Sequence, residues 1–146
     1  MKLQEIQLEW EKDAKIDPLI LGDESIRIPI LHAKYLNILS SKKLQLRKAE
    51  ADYLRLRNVK GRYYRGQMSG DELEELNWTQ YLGPKLLKAD VNDAIESDED
   101  VIKQIDKVEY YKTVVFQLEH ILKSLGSRSF DIKNAITWQQ WTNGNG

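Results

Sequence analysis

Residues 42–66 read KKLQLRKAEADYLRLRNVKGRYYRG, and this stretch predicts a long, basic, amphipathic helix. Ten Lys and Arg residues stand against two acids from Lys34 to Arg65, a local net charge of +8. No proline or glycine interrupts the chain between Pro29 and Gly61. Alternating steps of three and four residues place one row of side chains on a single helix face. That row is Tyr35, Leu39, Lys42, Leu46, Ala49, Tyr53, Leu56, Lys60 and Tyr63. Its two lysines predict a partner surface of mixed polarity.

The chain before this helix predicts a short first helix and an irregular connection. Apolar residues with helical period favour a helix over residues 2–16, which ends before Pro18 because a residue that precedes proline is pushed out of the helical region. Residues 19–28 combine alternating isoleucines, as in a short strand, with Pro29, which suits the first turn of a helix. We interpret residues 19–28 as an irregular or short helical lead-in.

The chain after the basic helix becomes acidic. Three glycines within residues 61–70 predict a flexible loop, and a short acidic helix follows, with Ser69 or Asp71 as its N-cap. Ten acids stand against two lysines from Asp71 to Asp100, a local net charge of −8. The acidic segment nearly balances the basic helix. We expect it either to contact a basic patch on a partner protein or to shield the basic helix.

Two amphipathic helices are predicted at the C-terminal end. Residues 97–100, Ser-Asp-Glu-Asp, offer a cap and acids for the first turn of a helix over residues 101–125, and Gly126 stands where a C-terminal cap is expected. A last helix follows, and residues 142–146 form a frayed tail. The predicted fold is therefore all-α, a single helical domain over residues 1–146 with a long basic helix and amphipathic C-terminal helices.

Composition and length restrict the class of protein further. At 146 residues the chain has the length of one domain, but 31% charged residues favour an elongated or oligomeric helical protein over one with a large independent core. The absence of cysteine excludes disulfides, cysteine-based zinc sites and thiol catalysis. The N-terminus lacks the apolar stretch of a signal peptide, and no apolar run approaches membrane-spanning length. These features predict a soluble, intracellular protein without a membrane partner.

Motifs for catalysis or metal binding are not found in the sequence. His32 and His120 each stand alone on an apolar helical face, which is typical of core or rim residues. The glycines at 61, 66 and 70 lack the Gly-Lys-Ser/Thr element of a phosphate-binding loop, and the acidic segment lacks a calcium-binding loop. We therefore predict that the chain is not an enzyme and has no metal or cofactor.

Basic residues interleaved with tyrosines favour single-stranded nucleic acid, because cations follow the phosphates and rings stack on unpaired bases. The candidate binding residues lie along the basic helix and at its end. They are Lys42, Lys43, Arg47, Lys48, Arg55, Arg57, Lys60, Arg62, Tyr63, Tyr64 and Arg65. Two alternatives stay open: the cations could only keep the surface soluble, and the paired tyrosines could pack in the core, with one ring inside and one outside as the intermediate case.

The same residues resemble a known family. The run from Leu36 through Tyr63-Tyr64-x-Gly, then Gly70-Asp-Glu, and later KSLGSRSFDIK at residues 123–133 is similar to the UvsY recombination mediators of T4-like bacteriophages. The resemblance extends over residues 3–136. It implies a non-enzymatic protein that binds single-stranded DNA without sequence preference, in the cytoplasm of an infected bacterial host. It also implies loading of a RecA-like phage recombinase onto strands covered by the phage single-strand-binding protein, in recombination and repair.

The resemblance further implies a ring-like homo-oligomer of six or seven subunits, with the C-terminal part involved in assembly. The apolar residues that we assign to this assembly are Val115, Leu118, Leu122, Leu125, Phe130, Ile132, Ile136, Trp138 and Trp141. The alternative is that the two C-terminal helices pack on each other within one subunit. Repetition of a weak DNA site around a ring would strengthen binding through effective concentration.

The DNA-contacting basic pair of the family lies just before the double tyrosine. The resemblance places one member on Lys60 and the other on Asn58, which is neutral, so we expect Arg57 and Arg62 to substitute. A second reading of the whole chain is a non-catalytic helical adaptor without direct DNA binding. In that reading the basic and acidic segments neutralise each other across subunits.

Overall fold

The computed structural model describes residues 1–144, and regular structure in them is entirely helical. The elements are α1 (Leu3–Asp13), α2 (Leu21–Tyr64), α3 (Gly70–Leu76), α4 (Lys88–Glu96) and α5 (Glu99–Thr142). The all-α prediction is confirmed. The chain forms two compact units: the first contains residues 1–43 and those from 113 onwards, and the second contains residues 44–112. Both α2 and α5 contribute to each unit.

The core of the first unit is formed by α1, the first part of α2 and the second part of α5. Trp10 packs edge-to-face on the buried Tyr35 ring, with 5.5 Å between ring centroids. Full burial of an aliphatic side chain contributes about 1.5–3 kcal/mol. The other buried apolar residues of this unit are Ile6, Leu21, Leu31, Leu39, Val114, Val115, Leu118, Ile121, Leu125 and Ile132.

The second unit has a smaller core, to which α4 contributes. Val91 and Ile95 of α4 and Val101 of α5 form one buried cluster. Its partly buried neighbours are Tyr53, Leu56, Tyr64, Leu86 and Ile105. The sequence did not indicate α4 as a helix, and its two buried residues show that the acidic segment is part of the core as well as of the surface.

The start of α2 corrects one prediction. The helix begins at Leu21, so residues 19–28 are not an irregular lead-in, and Pro29 lies inside the helix instead of opening it. Proline in a helix interior costs about 3 kcal/mol, because it removes a hydrogen bond and crowds the preceding turn. Leu21 and Leu31, on either side, are both buried in the first unit. Packing of this segment therefore outweighs the cost of the proline.

The predicted break at Gly126 is also wrong. This glycine lies inside α5, which continues to Thr142, so the two predicted C-terminal helices are one. Arg128, two residues further, is buried and donates to the carbonyl oxygens of Asp13 at 3.1 Å and Ala14 at 2.8 Å. Those carbonyls lie at the C-terminal end of α1, where helix geometry leaves acceptors without a partner. The bonds to α1 and the burial of this stretch hold α5 together past the glycine.

Other helix boundaries differ from the predicted ones by a few residues. Helix α1 ends at Asp13, and α2 passes through Gly61, so the loop before α3 contains residues 65–69 only. The Ser69 cap of α3 is confirmed, because its hydroxyl oxygen accepts from the Glu72 amide at 3.2 Å. Of the predicted frayed tail, residues 145–146 lie outside the described residues.

The predicted cap of the C-terminal helix is present. One carboxylate oxygen of Asp98 accepts from the amides of Asp100 at 2.9 Å and Val101 at 3.2 Å.

No helix in residues 1–144 is long and apolar enough to span a bilayer.

Candidate nucleic-acid interface

The part of α2 that lies in the second unit has two distinct faces. The predicted row of Leu46, Ala49, Tyr53, Leu56 and Lys60 is buried or half-buried there. A row of basic residues occupies the opposite face, with steps of one, seven, seven and three residues along the chain. We call this row the cationic face: Arg47, Lys48, Arg55, Arg62 and Arg65.

Most of the cationic face is open to solvent. Arg47, Lys48 and Arg65 are exposed, and no acid of residues 1–144 lies within 4.0 Å of their charged groups. Arg55 pairs with Asp52 at 3.2 Å, but its side chain is 76% exposed, and such surface pairs contribute little. Leu44 and Leu54 lie among these cations with 72% and 65% of their surface exposed. The face therefore offers both charge for phosphates and apolar surface for sugars or bases.

Lys60 lies on the other side of the helix and is buried. Its ammonium lies 3.0 Å from a carboxylate oxygen of Asp98 and 3.0 Å from one of Asp100. It also lies over the Trp78 ring, 4.1 Å from the centroid. Burial lowers the pKa of Lys60, but the two carboxylates outweigh burial and the net pKa is raised. Lys60 is thus fully charged and already bound within the chain.

Asp98 joins three parts of the second unit. The oxygen that binds Lys60 also accepts from the Tyr64 hydroxyl at 2.7 Å, while the other oxygen caps α5. Burial raises the pKa of Asp98, whereas the bonds from Tyr64 and Lys60 lower it. The lowering is larger, so the pKa of Asp98 lies below its ordinary value of 3.8. Burial and the bond to Asp98 raise the pKa of the Tyr64 hydroxyl. The end of α2 is therefore fixed to the start of α5.

Three more of the predicted binding residues already have a partner. Arg62 is bonded to Glu72 of α3 at 2.8 Å, and the guanidinium of Arg57 lies 3.4 Å from the Tyr53 hydroxyl. In the first unit, Lys43 lies 3.8 Å from Glu119. Lys42, also in that unit, is buried with 9% of its surface exposed. Acids of the 71–100 segment thus bind both Lys60 and Arg62, the two cations that directly precede the double tyrosine.

The paired tyrosines belong to an aromatic cluster with Trp78 and Tyr81. Tyr63 and Tyr64 are both half-buried, with their ring centroids 5.1 Å apart, so they do not divide into one inner and one outer ring. The Tyr63 hydroxyl donates to the Thr79 carbonyl at 2.7 Å. The segment between α3 and α4 is therefore held against the end of α2 by edge-to-face ring contacts and by this hydrogen bond.

An open groove lies beside this cluster in the second unit. It has a volume of ≈ 400 Å³ and is lined by Tyr64, Arg65, Tyr81 and Lys85, among other residues. Sequence reasoning missed Tyr81 and Lys85. The only sequence signal for them was a tyrosine close to a Gly-Pro turn and a lysine after it, and neither residue follows a periodic pattern.

The predicted assembly residues separate into two groups in the first unit. Five of them are buried or half-buried within this chain: Val115, Leu118, Leu122, Leu125 and Ile132. Phe130, Trp138 and Trp141 are 66%, 67% and 69% exposed, and Ile136 is 37% exposed. The exposed members of the predicted set thus all lie after Leu125.

The histidines and acids of the described residues form no recognisable metal centre. Within residues 1–144, no three His, Asp or Glu side chains converge in a way that could hold an ion. The His120 ring lies against the Phe116 ring, with 4.3 Å between centroids and 45° between the planes. Both His120 and His32 are exposed, so neither is a core residue.

Comparison with known proteins identifies one family. A family model described as "Recombination, repair and ssDNA binding protein UvsY" matches residues 9–145. The recombination protein uvsY of Enterobacteria phage T4 is 28% identical to this chain over 134 residues, which cover 92% of each protein.

Solved structures give the same result. Two crystal structures of the bacteriophage T4 recombination mediator protein UvsY, from lattice types II and IV, match with TM-scores of 0.83 and 26% identity. The matches cover 98% and 97% of this chain, and 98% and 99% of the respective T4 chains. Because the family model spans nearly the whole sequence, this chain belongs to the UvsY family of recombination, repair and ssDNA-binding proteins.

Proposed function

We propose that this chain binds single-stranded DNA without sequence preference through the cationic face and acts as a recombination mediator. The observation that carries the proposal is the exposure of Arg47, Lys48, Arg55 and Arg65 along one side of α2. At about 1.5 Å per residue, the row from Arg47 to Arg65 is roughly 27 Å long. That length accommodates several backbone phosphates, since a stacked strand carries one about every 3.4 Å.

Lys60 and Arg62 enter this proposal in a supporting role. Both are bonded to acids within the second unit, and Lys60 would have to leave two carboxylates and the Trp78 ring to reach a phosphate. We therefore assign the first phosphate contacts to the exposed arginines and to Lys48. Lys60 and Arg62 hold the end of α2 in the position from which Arg65 reaches the strand.

The test is fluorescence anisotropy of a labelled oligo-dT between about 50 and 300 mM salt. Four phosphate contacts predict that log K falls with log salt at a slope of about −3, at roughly 0.7 per contact on single strands. The Arg47→Gln/Lys48→Gln variant removes two contacts, so its slope should be smaller by about 1.4. Lys103→Gln/Lys107→Gln is the matched control, because it removes two exposed cations from α5 of the same unit.

The same titration separates this proposal from the adaptor reading. The bonds of Asp98, Asp100 and Glu72 to basic side chains support an adaptor whose charges neutralise each other, within one chain rather than across subunits. An adaptor predicts no oligonucleotide binding at the lowest salt, or equal slopes for the two double variants. Either result would remove the cationic face as a DNA site.

The finer role follows from the family. We propose that the chain loads a RecA-like phage recombinase onto strands covered by the phage single-strand-binding protein. The measurement is the rate of recombinase filament formation on coated strands, with and without this chain. The Arg47→Gln/Lys48→Gln variant should slow it if DNA binding is required, and an unchanged rate would contradict that link.

We further propose a ring-like homo-oligomer of six or seven subunits, assembled through the exposed apolar residues of the first unit. Phe130, Trp138 and Trp141 present large rings to solvent, and apolar patches of this kind mark association sites. Sedimentation velocity of Trp138→Glu/Trp141→Glu should show smaller particles than wild type. Leu82→Glu, at an exposed apolar position in the second unit, is the control. Wild-type size in the tryptophan variant would exclude this surface.

A further inference from the structure

We infer that the groove lined by Tyr64, Arg65, Tyr81 and Lys85 accepts one nucleotide, with the base against the tyrosine rings and a phosphate between the two cations. The inference rests on the proposed function, because it gives the strand a second kind of contact beyond the phosphates of the cationic face. The ligand class is a nucleotide unit of a single strand.

Two aromatic walls meet in this groove at a steep angle. The Tyr64 and Tyr81 rings are 5.3 Å apart between centroids, with 74° between their planes. Both rings are half-buried, so each keeps part of its surface open. A base can stack on one ring while the other borders its edge. The volume of ≈ 400 Å³ lies within the range of small-ligand sites, about 300–1,000 Å³.

The charge of the groove suits a phosphate. Arg65 and Lys85 both line it, both are exposed, and neither has an acid within 4.0 Å in the described part of the chain. Arg65 is also the last member of the cationic face. A strand that follows this face from Arg47 to Arg65 therefore ends at a residue that also lines the groove.

The tyrosine hydroxyls are already used within the chain. The Tyr64 hydroxyl donates to Asp98, and the Tyr81 hydroxyl donates to the Pro84 carbonyl at 3.2 Å. The rings therefore offer stacking surface but no free donor to distinguish one base edge from another. Stacking of this kind tolerates any base, as a sequence-independent binder requires.

The position of the Tyr81 ring depends on Gly83. A Cβ atom added at Gly83 would overlap the Tyr81 ring, so only glycine allows the ring to lie against the backbone there. The ring is held from its other sides by Tyr63 and Tyr64. The aromatic wall is thus formed before a ligand arrives, which reduces the entropy that binding must overcome.

The experiment compares oligo-dT with an abasic oligonucleotide of equal length, which keeps the phosphates and lacks the bases. Wild type should bind oligo-dT roughly tenfold more tightly than the abasic strand, the typical effect of a stacked base. Tyr81→Leu should reduce that ratio toward one while its affinity for the abasic strand stays the same. Tyr110→Leu, which changes a tyrosine exposed on α5 in the same unit, should leave the ratio unchanged.

A second variant keeps the test independent of folding. Lys85→Gln changes an exposed side chain outside the helices, so it leaves the aromatic cluster intact. It should weaken the binding of both strands equally and reduce the salt slope by about 0.7, the loss of one phosphate contact. An unchanged slope would remove Lys85 from the site and overturn the phosphate position.

The remaining outcomes separate this inference from the proposed function. If wild type binds both strands and Tyr81→Leu keeps the wild-type ratio, the groove does not hold a base, but the cationic face still stands. If wild type binds neither strand, the proposed function fails, and the inference fails with it. If free dTMP displaces oligo-dT from wild type at equimolar concentration, the ligand is a mononucleotide, and the assignment to a strand is overturned.

Discussion

Each of the two units contains a buried aspartate that binds a lysine and a tyrosine of α2. In the first unit, Asp13 accepts from the Lys34 ammonium at 2.6 Å and from the Tyr35 hydroxyl at 2.8 Å. In the second unit, Asp98 binds Lys60 at 3.0 Å and accepts from the Tyr64 hydroxyl at 2.7 Å. The same three residue types thus fasten α2 twice, to α1 in one unit and to the start of α5 in the other.

The two aspartates differ in their position on a helix. Asp13 is the last residue of α1, where the helix dipole disfavours a negative charge, and Arg27 assists Lys34 in neutralising it at 3.2 Å. Asp98 precedes the first turn of α5, where the dipole favours a negative charge and two backbone amides bind it. One lysine is enough at the favourable end of a helix, whereas the unfavourable end has two cations.

The two lysines also differ in their access to water. The Lys34 side chain is 36% exposed, whereas that of Lys60 is 7% exposed. A cation that reaches solvent can be hydrated when its partner is lost, but a buried cation cannot. The two networks contain the same residue types, but the stability of the fold depends more on the carboxylate of Asp98 than on that of Asp13.

The largest expected effect is the loss of the Asp98 carboxylate. Asp98→Ala should lower the free energy of unfolding by about 3–5 kcal/mol, because it leaves Lys60 buried with Asp100 alone and removes the helix cap. Asp13→Ala should cost about 1–3 kcal/mol, chiefly for the buried Tyr35 hydroxyl that it leaves without an acceptor. The measurement is urea unfolding followed by circular dichroism at pH 7, at one fixed protein concentration.

Two further variants control this comparison. Lys60→Met keeps the aliphatic stem and leaves Asp98 with the Tyr64 hydroxyl and two amides as donors, so its loss should be smaller than that of Asp98→Ala. Glu99→Ala changes an exposed acid in the same turn and should cost less than about 1 kcal/mol. Equal losses for Asp13→Ala and Asp98→Ala would show that burial of the lysine does not decide the difference.

A smaller effect is expected from a variant that removes the charge and keeps the helix cap. In Asp98→Asn the side-chain oxygen still caps α5, but the amide nitrogen that replaces the other oxygen loses the ion pair with Lys60 and cannot accept from the Tyr64 hydroxyl. The pKa of Asp98 is lowered in the folded chain, so this carboxylate stabilises the fold above its ordinary pKa of 3.8. That stability is lost as the pH falls through the folded pKa. The stability difference between wild type and Asp98→Asn should therefore be constant near neutral pH and shrink below about pH 4.

The same acid titration applies to the first unit. Burial raises the pKa of Asp13, whereas the bonds from Lys34 and Tyr35 lower it. The lowering is larger, so the pKa of Asp13 lies below 3.8. Asp13→Asn should converge with wild type in the same acidic range. A difference from wild type that persists unchanged to pH 2 would mean that the lost stability is steric rather than electrostatic.

The sequence predicted the helix faces better than the partners of the residues on them. The row from Tyr35 to Tyr63 is buried or half-buried throughout, and its lysines Lys42 and Lys60 are among the buried residues. Helical period decides which face is covered. It does not decide that the ligand of Lys60 is Asp98, 38 residues further along the chain, because tertiary packing brings the two together.

The groove at the end of α2 was beyond prediction for the same reason. Tyr81 and Lys85 lie in a segment without helical or strand period, so no pattern relates them to Tyr64. Helix-breaking residues led to the opposite error, because they predicted helix boundaries that the structure does not have. Pro29 and Gly126 predict boundaries because they cost about 3 and about 1 kcal/mol in a helix interior. Buried side chains on both sides of each residue contribute more than these amounts.

The smallest expected effect concerns two glycines in the interiors of the long helices, Gly126 in the first unit and Gly61 in the second. A Cβ atom added at Gly126, in the first unit, meets no heavy atom within 4 Å, so Gly126→Ala should raise the free energy of unfolding by about 0.5–1 kcal/mol. At Gly61, in the second unit, the added Cβ atom would lie 3.0 Å from the Arg65 guanidinium. Because that group must move aside, Gly61→Ala should gain less.

Urea unfolding of both variants beside wild type measures this difference. A stabilised Gly126→Ala variant agrees with one continuous helix from Glu99 to Thr142, in which alanine fits better than glycine. A destabilised variant would contradict it. In that case the glycine would hold the left-handed conformation of a helix cap, which alanine adopts only with strain, and α5 would end near Leu125 as the sequence pattern predicted.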